Sequence, residues 1–202
     1  MTLFGITLAF AILLAALGAA MIIHSIVGKR RIVTDFRRLS ERIGGQVSQP
    51  TLFSFPRVDG RYDGRNASVS FHLAKGEKAS IIYLVYTLSV KAATALFLSK
   101  QKYYKPLNDP TKLSREVGDV VPGVDGRFEV RSTDPERANR LFTQGNLREH
   151  LDGLDTFPSL VFGPDLLVAG KPFENLSDTD PDAALKHFRA LGKIAAEMEA
   201  PA

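Results

Sequence analysis

From residue 3 through residue 27 the chain carries no Asp, Glu, Lys or Arg. Those 25 residues constrain the fold more than any other feature. Wound as an α-helix at about 1.5 Å per residue they reach roughly 37 Å, more than the ~30 Å hydrocarbon core of a bilayer. Thr7, His24 and Ser25 are the distinctly polar members, and they lie near the ends. A buried core helix seldom stays apolar on every face for so long. A cleaved leader has basic residues ahead of a shorter apolar stretch, whereas here Lys29, Arg30 and Arg31 follow it. The run therefore predicts an uncleaved transmembrane helix over residues 1–28.

Charge predicts the orientation. Only Met1 and Thr2 precede the run, while Lys29, Arg30, Arg31, Arg37, Arg38 and Arg42 follow it, against Asp35 and Glu41. Positive residues stay on the cytoplasmic side. The expectation is a single-pass protein of the inner (plasma) membrane, with its N-terminus outside and its soluble part cytoplasmic. Of 26 basic and 22 acidic residues, stretch 29–42 holds 6 and 2, leaving 20 of each elsewhere. The net charge thus sits beside the membrane, where each well-placed basic residue gains about 1 kcal/mol against anionic lipid heads. Lys29, Arg30, Arg31, Arg37, Arg38 and Arg42 are the candidate membrane-surface residues. No RNP-like or zinc-finger pattern is present, so nucleic acid is not an expected partner.

Residues 29–45 read as a basic amphipathic juxtamembrane helix. Ile32, Phe36, Leu39 and Ile43 recur at helical spacing, and Gly44-Gly45 supplies a C-cap. The apolar stripe suits either the bilayer surface or the soluble domain. Residues 46–202 read as one cytoplasmic α+β domain. Phe53 and Phe55 alternate, as do Val69, Phe71 and Leu73. Beyond a turn at 75–78, Ile82, Leu84, Tyr86, Leu88 and Val90 share one strand face. Ile81, Tyr83 and Val85 make the opposite face apolar too, predicting cover on both sides of that end. Residues 96–98 and 127–131 read as further strands, and 99–123 as the longest loop. Gly163-Pro164-Asp165 predicts a hairpin. Asn146 with Glu149 reads as a capping box. Residues 180–199 form the clearest amphipathic helix, with Ala184, Leu185, Phe188, Leu191, Ala195 and Met198 on one face.

Two local repeats stand out. PRVDGRY (56–62) and PGVDGRF (122–128) each suggest an Asp-Gly turn leading into a strand. TDPERANRLF (133–142) and TDPDAALKHF (179–188) each suggest an Asp N-cap with Pro in the first helical turn. The spacings of the two pairs differ, so they read as local punctuation and not as a duplicated domain.

Motifs for chemistry are sparse. There is no cysteine, hence no disulfide or thiolate site. LAKGEKAS lacks the spacing of a phosphate loop. His24, His72, His150 and His187 are not at metal-ligand spacing. Asp178, Asp180 and Asp182 begin like a calcium loop, but Ala183 and Arg189 occupy positions that need Gly and Glu. No catalytic residue, metal or cofactor is expected. A dispersed site from His72, Asp125 and His150 is the residual enzymatic reading, and His24 could ligate a pigment or haem.

Gly60-x-Tyr62-x-Gly64-Arg65, FEVRSTDPERANRLF and LVFGPDLLVAG, within residues 53–170, resemble bacterial membrane-tethered domains of unknown function. The resemblance implies an α+β domain behind a membrane helix and brings no activity. The functional expectation is a non-catalytic accessory or scaffold subunit that binds another membrane or membrane-associated protein. The alternative is a tethered lipid or small-ligand binding domain. Ala11, Ala15, Gly18 and Ala19 form a small-residue stripe suited to a neighbouring helix, the candidate helix-interface residues.

Overall fold

The computed structural model describes residues 27–48, 54–75, 80–92, 94–100, 119–120 and 128–200. Helix α1 (27–42) leads into strands β1 (Gln46–Ser48), β2 (Arg57–Tyr62), β3 (Arg65–Lys75), β4 (Ser80–Ser89), β5 (Leu96–Ser99), β6 (Asp119–Val120) and β7 (Glu129–Ser132). Helices α2 (Pro135–Thr143) and α3 (Leu147–Leu151), a 3-10 turn (Asp152–Leu154), the hairpin β8 (Ser159–Phe162) and β9 (Leu166–Pro172), a second 3-10 turn (Leu176–Thr179) and helix α4 (Pro181–Glu199) follow. The strands form one antiparallel sheet in the order β1-β2-β3-β4-β9-β8-β5-β7-β6. The β8–β9 hairpin thus inserts between β4 and β5. The expected α+β class with an antiparallel sheet packed by helices is observed. Residues 1–26, which hold the expected anchor and the Ala11, Ala15, Gly18 and Ala19 stripe, lie outside the described residues. Within the described residues no helix is long and apolar enough to cross a membrane.

Strand alternation builds two apolar layers. Leu84, Tyr86 and Leu88 of β4 join Val69 of β3, Leu96 and Leu98 of β5, and Leu160 and Phe162 of β8 on the helix-covered face. Tyr83, Val85, Phe97, Val161 and Val168 form a smaller cluster on the other face. The helices close the first layer with Phe36 and Leu39, Ala138 and Phe142, Leu147 and Leu151, and Phe188, Leu191, Ile194 and Met198. Burying one such Phe or Leu is worth about 1.5–3 kcal/mol. The expected α4 face is largely as seen, although Leu185 is only partly buried and His187 and Ile194 join the buried side. Tyr83 and Val85 are covered as expected, but Ile81 at the same end stays 45% exposed.

The helix termini follow their local chemistry. Asp134 accepts the Arg137 N–H at 2.9 Å, and Asp180 accepts those of Asp182 and Ala183 at 2.9 and 3.0 Å. Asn146 precedes α3 without a side-chain capping bond; its amide donates to Glu197 at 3.3 Å. The capping box lies instead at Asn175 and Asp178.

The first VDGR segment departs from its expected turn. Residues 57–62 are strand β2, and the turn falls at Asp63-Gly64, with φ of 51° and 74°. Gly60 serves a close approach. A Cβ there would lie 2.8 Å from Ile43 Cγ1 and 2.9 Å from Gly45 Cα, and one on Gly45 would lie 2.3 Å from the Asp59 carbonyl oxygen. Gly44 ends α1 at φ 60°, so the chain folds directly from helix into β1 against β2. Of the second copy, 122–127 lie outside the described residues.

Candidate functional site

The apolar stripe of α1 is spent on its own domain: Ile32, Phe36, Leu39 and Ile43 are 0–3% exposed. Phe36 stacks on Phe71 of β3 at 5.8 Å between ring centroids, and Phe55 stacks on the same ring at 4.6 Å. The stripe therefore docks on the sheet and is not available to a bilayer. What α1 offers outward is charge.

Helical spacing divides that charge into two flanks. Arg30 and Arg37 lie on one side, Arg31, Arg38 and Arg42 on the other, and all five are exposed. Lys29 places its ammonium 5.6 Å from the Phe55 ring centroid. Arg42 pairs with Asp182 of α4, an exposed contact worth little on its own.

The second flank borders a groove of about 460 Å³ between α1 and the turn ahead of α4. Arg31, Thr34, Asp35 and Arg38 form one wall, and Leu176, Ser177 and Asp180 the other. The carboxylates in it are engaged. Asp35 accepts the Thr179 hydroxyl at 3.1 Å, and Asp180 caps α4. The Arg31 and Arg38 guanidiniums have no ion-pair or hydrogen-bond partner among the described residues. Two such planar donors along one wall suit phosphate or carboxylate oxygens.

A second polar cluster lies beneath α4. Lys171 and Asp178 pair at 2.5 Å, both side chains largely buried. Burial pushes the Asp178 carboxyl up, but Lys171 and the N–H groups of Glu174 and Asn175 outweigh it and hold it below its ordinary value. Nearby, His187 meets the edges of Tyr86 and Phe157, with centroids 5.1 and 4.9 Å apart. Burial, reinforced by Lys171 and Lys186 against Asp178, takes His187 from 6.5 down to about 4. Burial and then Asp178 push the Tyr86 phenol upward. Neither the Tyr86 hydroxyl nor His187 Nδ1 has a hydrogen-bond partner among the described residues.

The dispersed histidines do not converge. Phe71 faces the helices, so alternation puts His72 on the opposite sheet face. His150 sits in the helical layer, its Nε2 3.8 Å from Glu197. Asp125 lies outside the described residues, as does His24. Sequence reasoning found Arg31 and Arg38 but not Thr34, Ser177 or the Lys171–Asp178 pair. A helical wheel of 27–42 places Thr34 beside the arginines; no sequence signal reveals the far wall.

No family model and no curated protein matches the sequence. In three dimensions the chain is similar to the crystal structure of the mycobacterial trehalose monomycolate transport factor A, TtfA. The TM-score is 0.58 at 12% identity, and the match covers 86% of this chain and 99% of that one. At that identity the likeness is one of fold.

Proposed function

We propose that the chain is a non-catalytic accessory subunit, tethered by its N-terminal run, that presents its α+β domain to a membrane complex at the cytoplasmic face of the inner membrane. The observation that carries this reading is the seating of α1. The helix that leaves the uncharged run is bolted into the core by Ile32, Phe36, Leu39 and Ile43, so the domain begins with almost no linker after it. Its outward side is left to charge. The shared fold with a protein described as a transport factor favours an accessory role over catalysis.

The test is capture of the full chain, tagged after Ala202, from native membranes in mild detergent. A membrane protein should co-purify in constant ratio, and Ala15→Ile should weaken that association about 5–30-fold while the chain stays in the membrane fraction. Recovery of the chain alone, both from detergent and after crosslinking in intact membranes, would count against it. A cytoplasm-restricted reporter fused after Ala202 should be active; an inactive one would reverse the orientation.

That Arg31 and Arg38 have no partner among the described residues favours a second reading, in which the groove holds an anionic lipid head. Native mass spectrometry should then show a lipid adduct that Arg31→Ala with Arg38→Ala abolishes.

A further inference from the structure

The groove between α1 and the turn ahead of α4 carries both signs of charge. Arg31 and Arg38 bring guanidiniums, Asp35 and Asp180 carboxylates, so its charged side chains sum to zero. Arg31 and Arg38 stand four and three residues from Asp35 on α1, spacings at which helix ion pairs form. No such pair is present here among the described residues; Asp35 turns instead to the Thr179 hydroxyl at 3.1 Å. Opposite charges thus line one groove without neutralising each other directly. Each carboxylate also keeps one oxygen in reserve. Asp35 uses Oδ2 for Thr179, and Asp180 uses Oδ1 for the N–H groups of Asp182 and Ala183, while Asp35 Oδ1 and Asp180 Oδ2 have no partner among the described residues. Depth orders the charges along α1. Thr179 is 1% exposed and Asp35, bonded to it, is half-buried, whereas both arginines are exposed.

We infer that the groove takes a phosphate ester of an amino alcohol, with the phosphate on Arg31 and Arg38 and the ammonium on Asp35 and Asp180. The head of an aminophospholipid has this chemistry, as does the same ester free in solution. The inference rests on the groove reading above and narrows its ligand. A head with phosphate alone satisfies the guanidiniums but leaves two carboxylates facing an anion, a like-charge contact. An ammonium donates to the spare carboxylate oxygens and removes that penalty. The order of charges also matches. In a phosphatidylethanolamine the ammonium lies farthest from the acyl chains and the phosphate next, so the head enters with its ammonium toward Asp35 and its phosphate level with the exposed arginines. The volume of about 460 Å³ is that of a small-ligand site, typically about 300–1,000 Å³.

The test is native mass spectrometry of the full chain released from bilayers holding phosphatidylethanolamine, phosphatidylglycerol and phosphatidylcholine in equal amounts, with identical acyl chains. Adducts that Arg31→Ala with Arg38→Ala removes are those of the groove. Among them phosphatidylethanolamine should exceed both other lipids several-fold, because phosphatidylglycerol has no ammonium and the quaternary nitrogen of phosphatidylcholine has no N–H to donate. Asp35→Asn keeps the side chain's size and an acceptor for Thr179, so circular dichroism should be unchanged, while the preference for phosphatidylethanolamine over phosphatidylglycerol should fall several-fold. Displacement by equimolar glycerophosphoethanolamine would assign the groove to the soluble ester, and persistence of the adduct to the lipid; the same chemistry holds in both. If phosphatidylglycerol is retained equally, or the preference survives Asp35→Asn, the groove still holds a lipid phosphate but the ammonium assignment is overturned. If no adduct depends on the arginines, the groove reading fails and this inference with it.

Discussion

Replacing His187 by Phe should flatten the dependence of stability on mild acid. His187 is 9% exposed, wedged between Tyr86 and Phe157, and its charged form is disfavoured by burial and by Lys171 and Lys186. The unfolded chain takes up this proton near pH 6.5, the folded chain only near pH 4. Between those values the unfolded state holds more protons, so stability falls as pH falls. At about 1.4 kcal/mol per unit the complete loss is about 3 kcal/mol, of which about 2 kcal/mol falls between about pH 7 and about pH 5. For a chain of this size that lowers the unfolding midpoint by about 4–8 °C. Asp178 and Glu199 titrate below their ordinary 3.8 and 4.5, so the stability they contribute is intact above those values and does not enter this window. The assay is thermal unfolding of the full chain in detergent, followed by circular dichroism at several pH values. The comparison is of slopes, whatever midpoint His187→Phe has at neutral pH. If the variant keeps the wild-type slope between about pH 7 and about pH 5, the proton is taken up elsewhere and the burial argument is wrong.

Three further outcomes follow from the packing. Tyr86→Phe should be neutral to slightly stabilising in urea unfolding near pH 7, because its buried hydroxyl has no partner among the described residues, and it should blunt the loss of stability above about pH 10. Glu199→Ala should cost about 1–3 kcal/mol, since Glu199 accepts both arms of Arg65 at 2.5 and 2.6 Å and the Lys91 N–H at 2.7 Å; Arg65→Lys, keeping the charge but losing the fork, should cost less in the same assay. Gly60→Ala should cost about 1–3 kcal/mol by overpacking against Ile43, and Gly45→Ala more, since its Cβ meets backbone, whereas α1 outside that junction should keep its helical signal.

The legible parts of this fold were those whose physics is local. TDP capping at Asp134 and Asp180, the Gly44 stop, the Gly163–Asp165 hairpin and the alternation through β4 each depend on a few neighbouring residues. What escaped needs the third dimension. Strand β1 is three residues, QVS, with no periodicity to see, and it exists because β2 offers a ladder. The glycine of VDGR reads as a turn until Ile43 and Gly45 are brought against it. His187 lies on the helical face but is polar, so its burial under Tyr86 and Phe157 was invisible. The basic residues of α1 were read from charge, but the groove's second wall comes from residues 176–180, far along the chain.

The two borders of the sheet have a consequence for recognition. Among the described residues it ends in a strand of three residues on one side and of two on the other. A guest strand laid along either border gains few main-chain hydrogen bonds, so β-augmentation is a poor mode of capture for this domain. Selectivity for a partner then falls to side chains on its faces and ends. The same short borders also limit self-association, since a long open border would invite copies of the chain to zip together edge to edge.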